Sequence, residues 1–292
     1  MSVSSVGTSL ESLCHPRPSS EGFCEATKNV ALATLNECRF HCSKARTLIR
    51  HGLQGLPSEY MDPKTDAYDW KEGCRGLCLM VDGLFGPREI LEPQRQRFVE
   101  RSTDLDIKLP QVPFNGNCAV AIAVEPILKM VLDYQSRFPS NPICLIGVSN
   151  GGRIVAELEL ALRRYPSVVK VSTIAGALLG TRLVDNLMRT GLTPLVLDPV
   201  LQEELQYGSA NALDRLERQR EDLPEGVVRH FTYYVAAQET HIFPFTSSMP
   251  DIGKGEDVRV IQGQTHCSLS YAIAEEQVDD CLSWIATASS PT

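Results

Sequence analysis

The chain has 292 residues, 43 % of them hydrophobic and 22 % charged, which is length enough for a large α/β core and an ordinary composition for a soluble globular protein. Its formal net charge of −8 argues against a general nucleic-acid binder, because phosphate contact needs a basic surface. No apolar run reaches the roughly 18–20 residues that span a bilayer.

Residues 1–23 are rich in Ser, Pro and Gly without an apolar period and are expected to form a flexible tail. The opening MSVSSVGTSLESLCHPRPSSEG has neither a basic n-region nor an apolar h-region, so a cytoplasmic setting is expected. Residues 24–70 read as an N-terminal helical extension, in which Ala31, Leu35, Cys38, Cys42, Ala45 and Ile49 step by three and four along one stripe. The stripe is expected to pack on the body of the protein, and a peripheral-membrane or protein contact is the alternative. The ten cysteines are read as mostly reduced thiols, with Cys78 and Cys144 acting as small core hydrophobes inside LCLMV and ICLI. The CxxxC pairs Cys38/Cys42 and Cys74/Cys78, with His41 beside the first, have a spacing too unspecific to define a zinc site. No metal or cofactor is expected.

From residue 71 to 292 the pattern becomes a regular alternation. GLCLMVDG (76–83), LDIKLPQVP (105–113), PICLIGVS (142–149), VVKVSTIAG (168–176), RHFTYYVAA (229–237) and DVRVIQG (257–263) read as strands. Helical periods lie between several of them, at Asn117–Tyr134 and Arg153–Arg164, and a further helix closes the chain at Glu275–Ile285. Such alternation predicts a mostly parallel sheet with helices on both faces. Residues 181–228 exceed what a two-strand connection needs and read as a helical cap insertion. Leu201, Leu205, Leu213, Leu216 and Leu223 are its candidate apolar underside.

The chemistry centres on Gly147-Val148-Ser149-Asn150-Gly151. A serine is a poor nucleophile unless it projects from a sharp turn toward a base, with backbone amides facing the developing oxyanion. An apolar strand precedes this motif and the helical RIVAELELAL follows it, which is the context of a G-x-S-x-G nucleophile elbow. The Lys-Ser/Thr ending of a phosphate-binding loop and the G-x-G-x-x-G order of a dinucleotide site are both lacking.

With this elbow, residues 75–286 resemble the α/β-hydrolase superfamily, nearest to lipases and palmitoyl-thioesterase-like enzymes. VSTIAGALLGTRLVD (171–185) also resembles the lipase stretch T-I-G-x-P-H-x-G-S, without its proline and histidine. The resemblance implies a Ser–acid–His order. Ser149 is then the nucleophile, and His266 in QGQTHCSLS is the base, with His241 its competitor. Glu239 is the candidate acid, ahead of Ile242-Phe243-Pro244, and Asp198 is the alternative, followed by Asp251. The oxyanion amides implied are those of Asn150 and of Leu84 in VDGLFG, where Asp82 stands in place of the usual histidine. A carboxylate there must point away from the oxyanion or be neutralised, with Arg88 as a candidate partner. The implied activity is a serine hydrolase cleaving carboxylic esters or thioesters through an acyl-enzyme, on a lipid-like acyl substrate. The competing reading is a catalytically inactive fold serving as a binding or scaffold module.

Overall fold

The computed structural model describes residues 25–38, 68–86, 88–191, 197–253 and 255–288. Six strands form one sheet: β1 (Leu77–Val81), β2 (Asp106–Lys108), β3 (Ile143–Val148), β4 (Ser167–Ile174), β5 (Val227–Ala236) and β6 (Glu256–Ile261). Their order is β2-β1-β3-β4-β5-β6 and every pairing is parallel. The unbroken apolar runs of β1 and β3 follow from burial on both faces. Side chains alternate across the sheet, so Leu77, Leu79, Ile143 and Leu145 enter one core while Cys78, Met80, Cys144 and Ile146 enter the other.

Helices α2 (Glu92–Arg101), α3 (Val120–Arg137), α4 (Asn150–Leu162) and α8 (His266–Ala288) cover the two faces. α3 and α4 close the first core through Ile127, Val131, Ile154 and Leu158. α2 and α8 close the second through Phe98, Leu269, Ile273 and Val278. The strand order reverses between β1 and β3. That leaves a crevice beyond their carboxyl ends, where α/β sheets bind ligands.

Between β4 and β5 lie α5 (Arg182–Arg189), α6 (Pro199–Leu205) and α7 (Ala210–Arg220). Leu201 and Leu205 are buried with Val184, Leu197 and Ile242, and Leu216 packs against the first core. Leu213 and Leu223 are exposed, so only part of the expected apolar underside faces inward.

Other boundaries also differ from the sequence pattern. β2 keeps only three residues of the expected 105–113, since the prolines of LPQVP supply no ladder donors. α4 starts at Asn150 and α8 at His266 rather than Glu275. A helix, α1, occupies residues 25–38, but its docked side is not the expected stripe. Ala31, Leu35 and Cys38 are exposed, while Ala33 is buried. α1 is seated by polar bonds: Asn36 Nδ2 donates to the Gly263 carbonyl at 3.2 Å, and Thr265 donates to the Glu37 carboxylate. Cys42, Ala45 and Ile49 lie outside the described residues. Cys74 and Cys78 belong to opposite faces of the sheet and cannot share an ion. No helix among the described residues is long and apolar enough to cross a membrane.

Candidate active site

Ser149 sits between β3 and α4 with φ 56° and ψ −121°, a sparsely populated conformation for a residue with a Cβ. The surroundings hold it there. Its amide donates to the Ile174 carbonyl at 2.9 Å, and its carbonyl accepts from the amides of Gly152 and Ala177, both at 3.0 Å. Neighbouring side chains would destroy the turn. A Cβ on Gly147 would fall on the Gly151 carbonyl, and one on Gly151 would fall on the carbonyls of Val81 and Asp82.

The following residue, Asn150, is 2 % exposed. Its side chain donates to the Gly116 carbonyl at 3.1 Å and accepts from Arg153 Nε at 3.0 Å. As the first residue of α4, its backbone amide precedes any intrahelical acceptor. The loop after β1 brings Gly83, Leu84 and Phe85 beside the serine, where they line the same cavity. The Leu84 amide makes no backbone hydrogen bond among the described residues, whereas the next amide, Phe85, donates to the Asn115 carbonyl at 3.0 Å. Asp82 is half-buried and does not line that cavity. The side chain of Arg88 lies outside the described residues.

His266 opens α8 and is 6 % exposed. Its Nδ1 lies 3.0 Å from Glu239 Oε1, although neither Nδ1 nor Glu239 Oε2 has an aligned hydrogen-bond partner. Glu239 Oε1 also accepts from three successive amides, Thr240 (2.9 Å), His241 (2.8 Å) and Ile242 (3.1 Å). Burial works to raise the Glu239 pKa, but His266 and the amides of His241 and Ile242 outweigh it and hold the carboxyl below its ordinary value. Because the folded pKa is depressed, the stability this charge supplies is fully present above the ordinary carboxylate pKa of about 4.3. It is lost as the pH falls through the folded value.

Ser149 and His266 line one cavity of about 340 Å³, but no hydrogen bond joins them among the described residues. The cavity roof comes from the residues after β4, including Thr181, Leu183, Leu187 and Leu205. Thr181 ties that roof to the loop of Glu239 and His241: its hydroxyl donates to the His241 carbonyl at 2.8 Å and accepts from the Phe243 amide at 3.0 Å. No sequence pattern pairs residues 60 apart, so this contact was not foreseen.

Asp198 caps α6, accepting from the amides of Val200 (2.9 Å) and Leu201 (3.3 Å), and its side chain does not reach His266. Asp251 lies near Arg220, which donates to its carbonyl at 2.8 Å. His241 lies against His266, with ring centroids 4.6 Å apart and the ring planes tilted by 39°.

No protein-family pattern matches the sequence, and no curated protein sequence matches it. Solved structures do match. One, described with LipS and LipT, two metagenome-derived lipolytic enzymes, is 14 % identical at a TM-score of 0.54, covering 74 % of this chain and 95 % of that chain. Another, Est1E from Butyrivibrio proteoclasticus, is 15 % identical at a TM-score of 0.51, covering 77 % and 93 %. A ferulic acid complex of Est1E matches at the same TM-score with 14 % identity. At such identities the likeness establishes the architecture, which is the α/β-hydrolase fold.

Proposed function

We propose that the protein is a serine hydrolase of carboxylic esters or thioesters with an apolar acyl group. The observation that carries this reading is the strained Ser149 turn opening into the same apolar cavity as the Glu239-paired His266. Ser149 Oγ attacks the substrate carbonyl and its proton passes to His266. The amides of Leu84 and Asn150 receive the oxyanion as the tetrahedral intermediate forms. Collapse transfers the proton from His266 to the leaving alkoxide or thiolate and leaves an acyl-serine, which water cleaves by the same route. Glu239, whose pKa is lowered by His266 and by the amides of His241 and Ile242, orients the imidazole and stabilises its charged form. The serine–histidine hydrogen bond is made on substrate binding, as is common where an unliganded site is loosely aligned.

Leu84, Ile90, Leu183, Leu187 and Leu205 wall the cavity, so a longer acyl chain meets more apolar surface there. Each methylene buried contributes about 0.8 kcal/mol, or up to about fourfold in kcat/KM where that energy is used in the transition state. On p-nitrophenyl and thioester panels, kcat/KM is expected to rise from acetyl through medium-length acyl chains and then to stop rising once the apolar wall is covered. A flat profile would refute the cavity as the acyl site.

A fluorophosphonate probe tests the mechanism itself. The native chain is expected to label, and His266→Ala is expected to lose labelling while remaining folded. Glu239→Gln keeps an acceptor for the three amides but removes the charge facing His266, so kcat is expected to fall by about 10²–10⁴-fold. Its acid unfolding profile is also expected to be flatter below about pH 4.3. The missing Ser149–His266 bond favours a second reading, a catalytically inactive binding module. A well-folded native chain that neither labels nor hydrolyses any panel ester, with or without detergent, would establish it.

A further inference from the structure

Glu37 of α1, His241 of the loop after β5 and Cys267 of α8 come from three distant parts of the sequence, yet one ligand-type atom of each lies within 4.8 Å of the others. Neither core packing nor the hydrolytic reading requires this convergence. A carboxylate, an imidazole and a thiol form the donor set of a borderline-soft divalent ion, Zn²⁺ foremost. Supporting contacts fix two of the three. Thr265 donates to Glu37 Oε2, and Thr240 Oγ1 lies 2.9 Å from His241 Nδ1, as outer-shell groups orient ligands in metal sites. Gly263 carries φ 72° in the turn that receives α1, and a Cβ there would stand 2.9 Å from Leu32. Its absence lets the helix bearing Glu37 come close enough.

The geometry points to an inhibitory Zn²⁺ site formed by Glu37, His241 and Cys267, at the edge of the catalytic pocket. Ligation requires these atoms to close from their present span to Zn–O and Zn–N distances of about 2.0–2.2 Å and a Zn–S distance of about 2.3 Å. On binding, the Cys267 thiol loses its proton to solvent and the thiolate takes the metal. The two anionic ligands then balance the dication. With Nδ1 engaged by the Thr240 hydroxyl, His241 ligates through Nε2. His241 also belongs to a second group, with Glu239 and His266, whose ligand atoms likewise lie within 4.8 Å of one another. The ion therefore stands next to the proposed general base, where its positive charge disfavours the imidazolium formed during acyl transfer. The inhibitory role rests on the hydrolase reading, whereas the binding site does not.

The test is titration of the full chain with Zn²⁺ by calorimetry in buffers of different ionisation enthalpy, repeated with Co²⁺ followed by absorption. One ion and about one released proton per chain are expected, together with a thiolate-to-cobalt charge-transfer band. Glu37→Gln is expected to weaken binding at least tenfold and Cys267→Ser to abolish the charge-transfer band. Glu37→Gln, which lies outside the cavity lining, is expected to keep its basal ester hydrolysis and to resist added Zn²⁺. Binding unchanged by both substitutions, or no stoichiometric binding, would overturn the site. Zn²⁺ bound at the site with hydrolysis unaffected would overturn inhibition alone. A chain that binds Zn²⁺ through these residues but never hydrolyses esters would leave the site standing and remove the hydrolase reading.

Discussion

Ser149→Ala is expected to abolish fluorophosphonate labelling and to lower ester hydrolysis by about 10⁴–10⁶-fold, the range seen when a triad nucleophile is removed. Its thermal stability should stay close to that of the native chain, because alanine carries the same Cβ at φ 56°. Ser149→Gly separates the chemistry from the strain. Glycine relieves a backbone conformation that costs a Cβ-bearing residue about 1–3 kcal/mol, against an unfolded-state entropy term of about 0.4–1 kcal/mol. It should be as inactive as Ser149→Ala yet melt higher, by about 2–4 °C for a net gain of about 1 kcal/mol. The three hydrogen bonds that fix the turn are made by backbone atoms and survive both changes. Residual labelling in Ser149→Ala would put the nucleophile elsewhere. A lower melting point for Ser149→Gly would mean that the turn stores no strain, and with it the argument that this backbone is held for chemistry.

The parts of this architecture legible in the sequence are those with strong local causes. β1 and β3 announce themselves because strands buried on both faces need continuous apolar residues, and LCLMV and ICLIGV supply them. The Ser149 turn is legible because glycines flank the serine where side chains would strike carbonyls. The sequence pattern starts α8 nine residues too late, at Glu275 rather than His266, for the opposite reason. Its first turns bury His266, Ser268 and Ser270 against the sheet and α2, so polar residues occupy inward positions and mask the helical period. α1 shows a third failure. Its apolar stripe predicts one docked face, but the helix sits on Ala33 and on the polar contacts of Asn36 and Glu37, which no hydrophobic pattern marks. The pairing of Glu239 with His266 is legible only through its place in the chain. The three amides that donate to its Oε1 belong to residues 240–242, and their convergence on one oxygen depends on loop geometry.

Arg153 and Glu204 are the charges a sequence reading would most readily assign to solvent, and the structure buries both, at 1 % and 5 % exposure. Arg153 Nη1 meets Glu204 Oε2 at 2.6 Å, and the same oxygen accepts the Val120 amide at 3.0 Å. One carboxylate thus joins α4, which follows Ser149, to the start of α3 and to α6. A second buried guanidinium, Arg215 of α7, donates to the Leu178 carbonyl. Burial and the nearby Arg153 push its pKa down to about 10, while Glu157 and Glu204 act to raise it. Glu204→Ala therefore leaves two buried cations short of their counter-charge and is expected to destabilise the protein by about 3–5 kcal/mol. That corresponds to a fall in melting temperature of about 10 °C. Arg153 also holds the Asn150 side chain at 3.0 Å, so labelling of Ser149 should slow in the variant even at temperatures where it remains folded. The double variant Arg153→Met/Glu204→Leu removes the charge and its partner together and should recover at least half of the lost stability, since isosteric apolar replacement of a buried pair is often near neutral. It should not recover the labelling rate, because Arg153→Met removes the Nε bond to the Asn150 side chain outright. Recovery of both together would reduce the pair to a stability device with no hold on the residue beside Ser149.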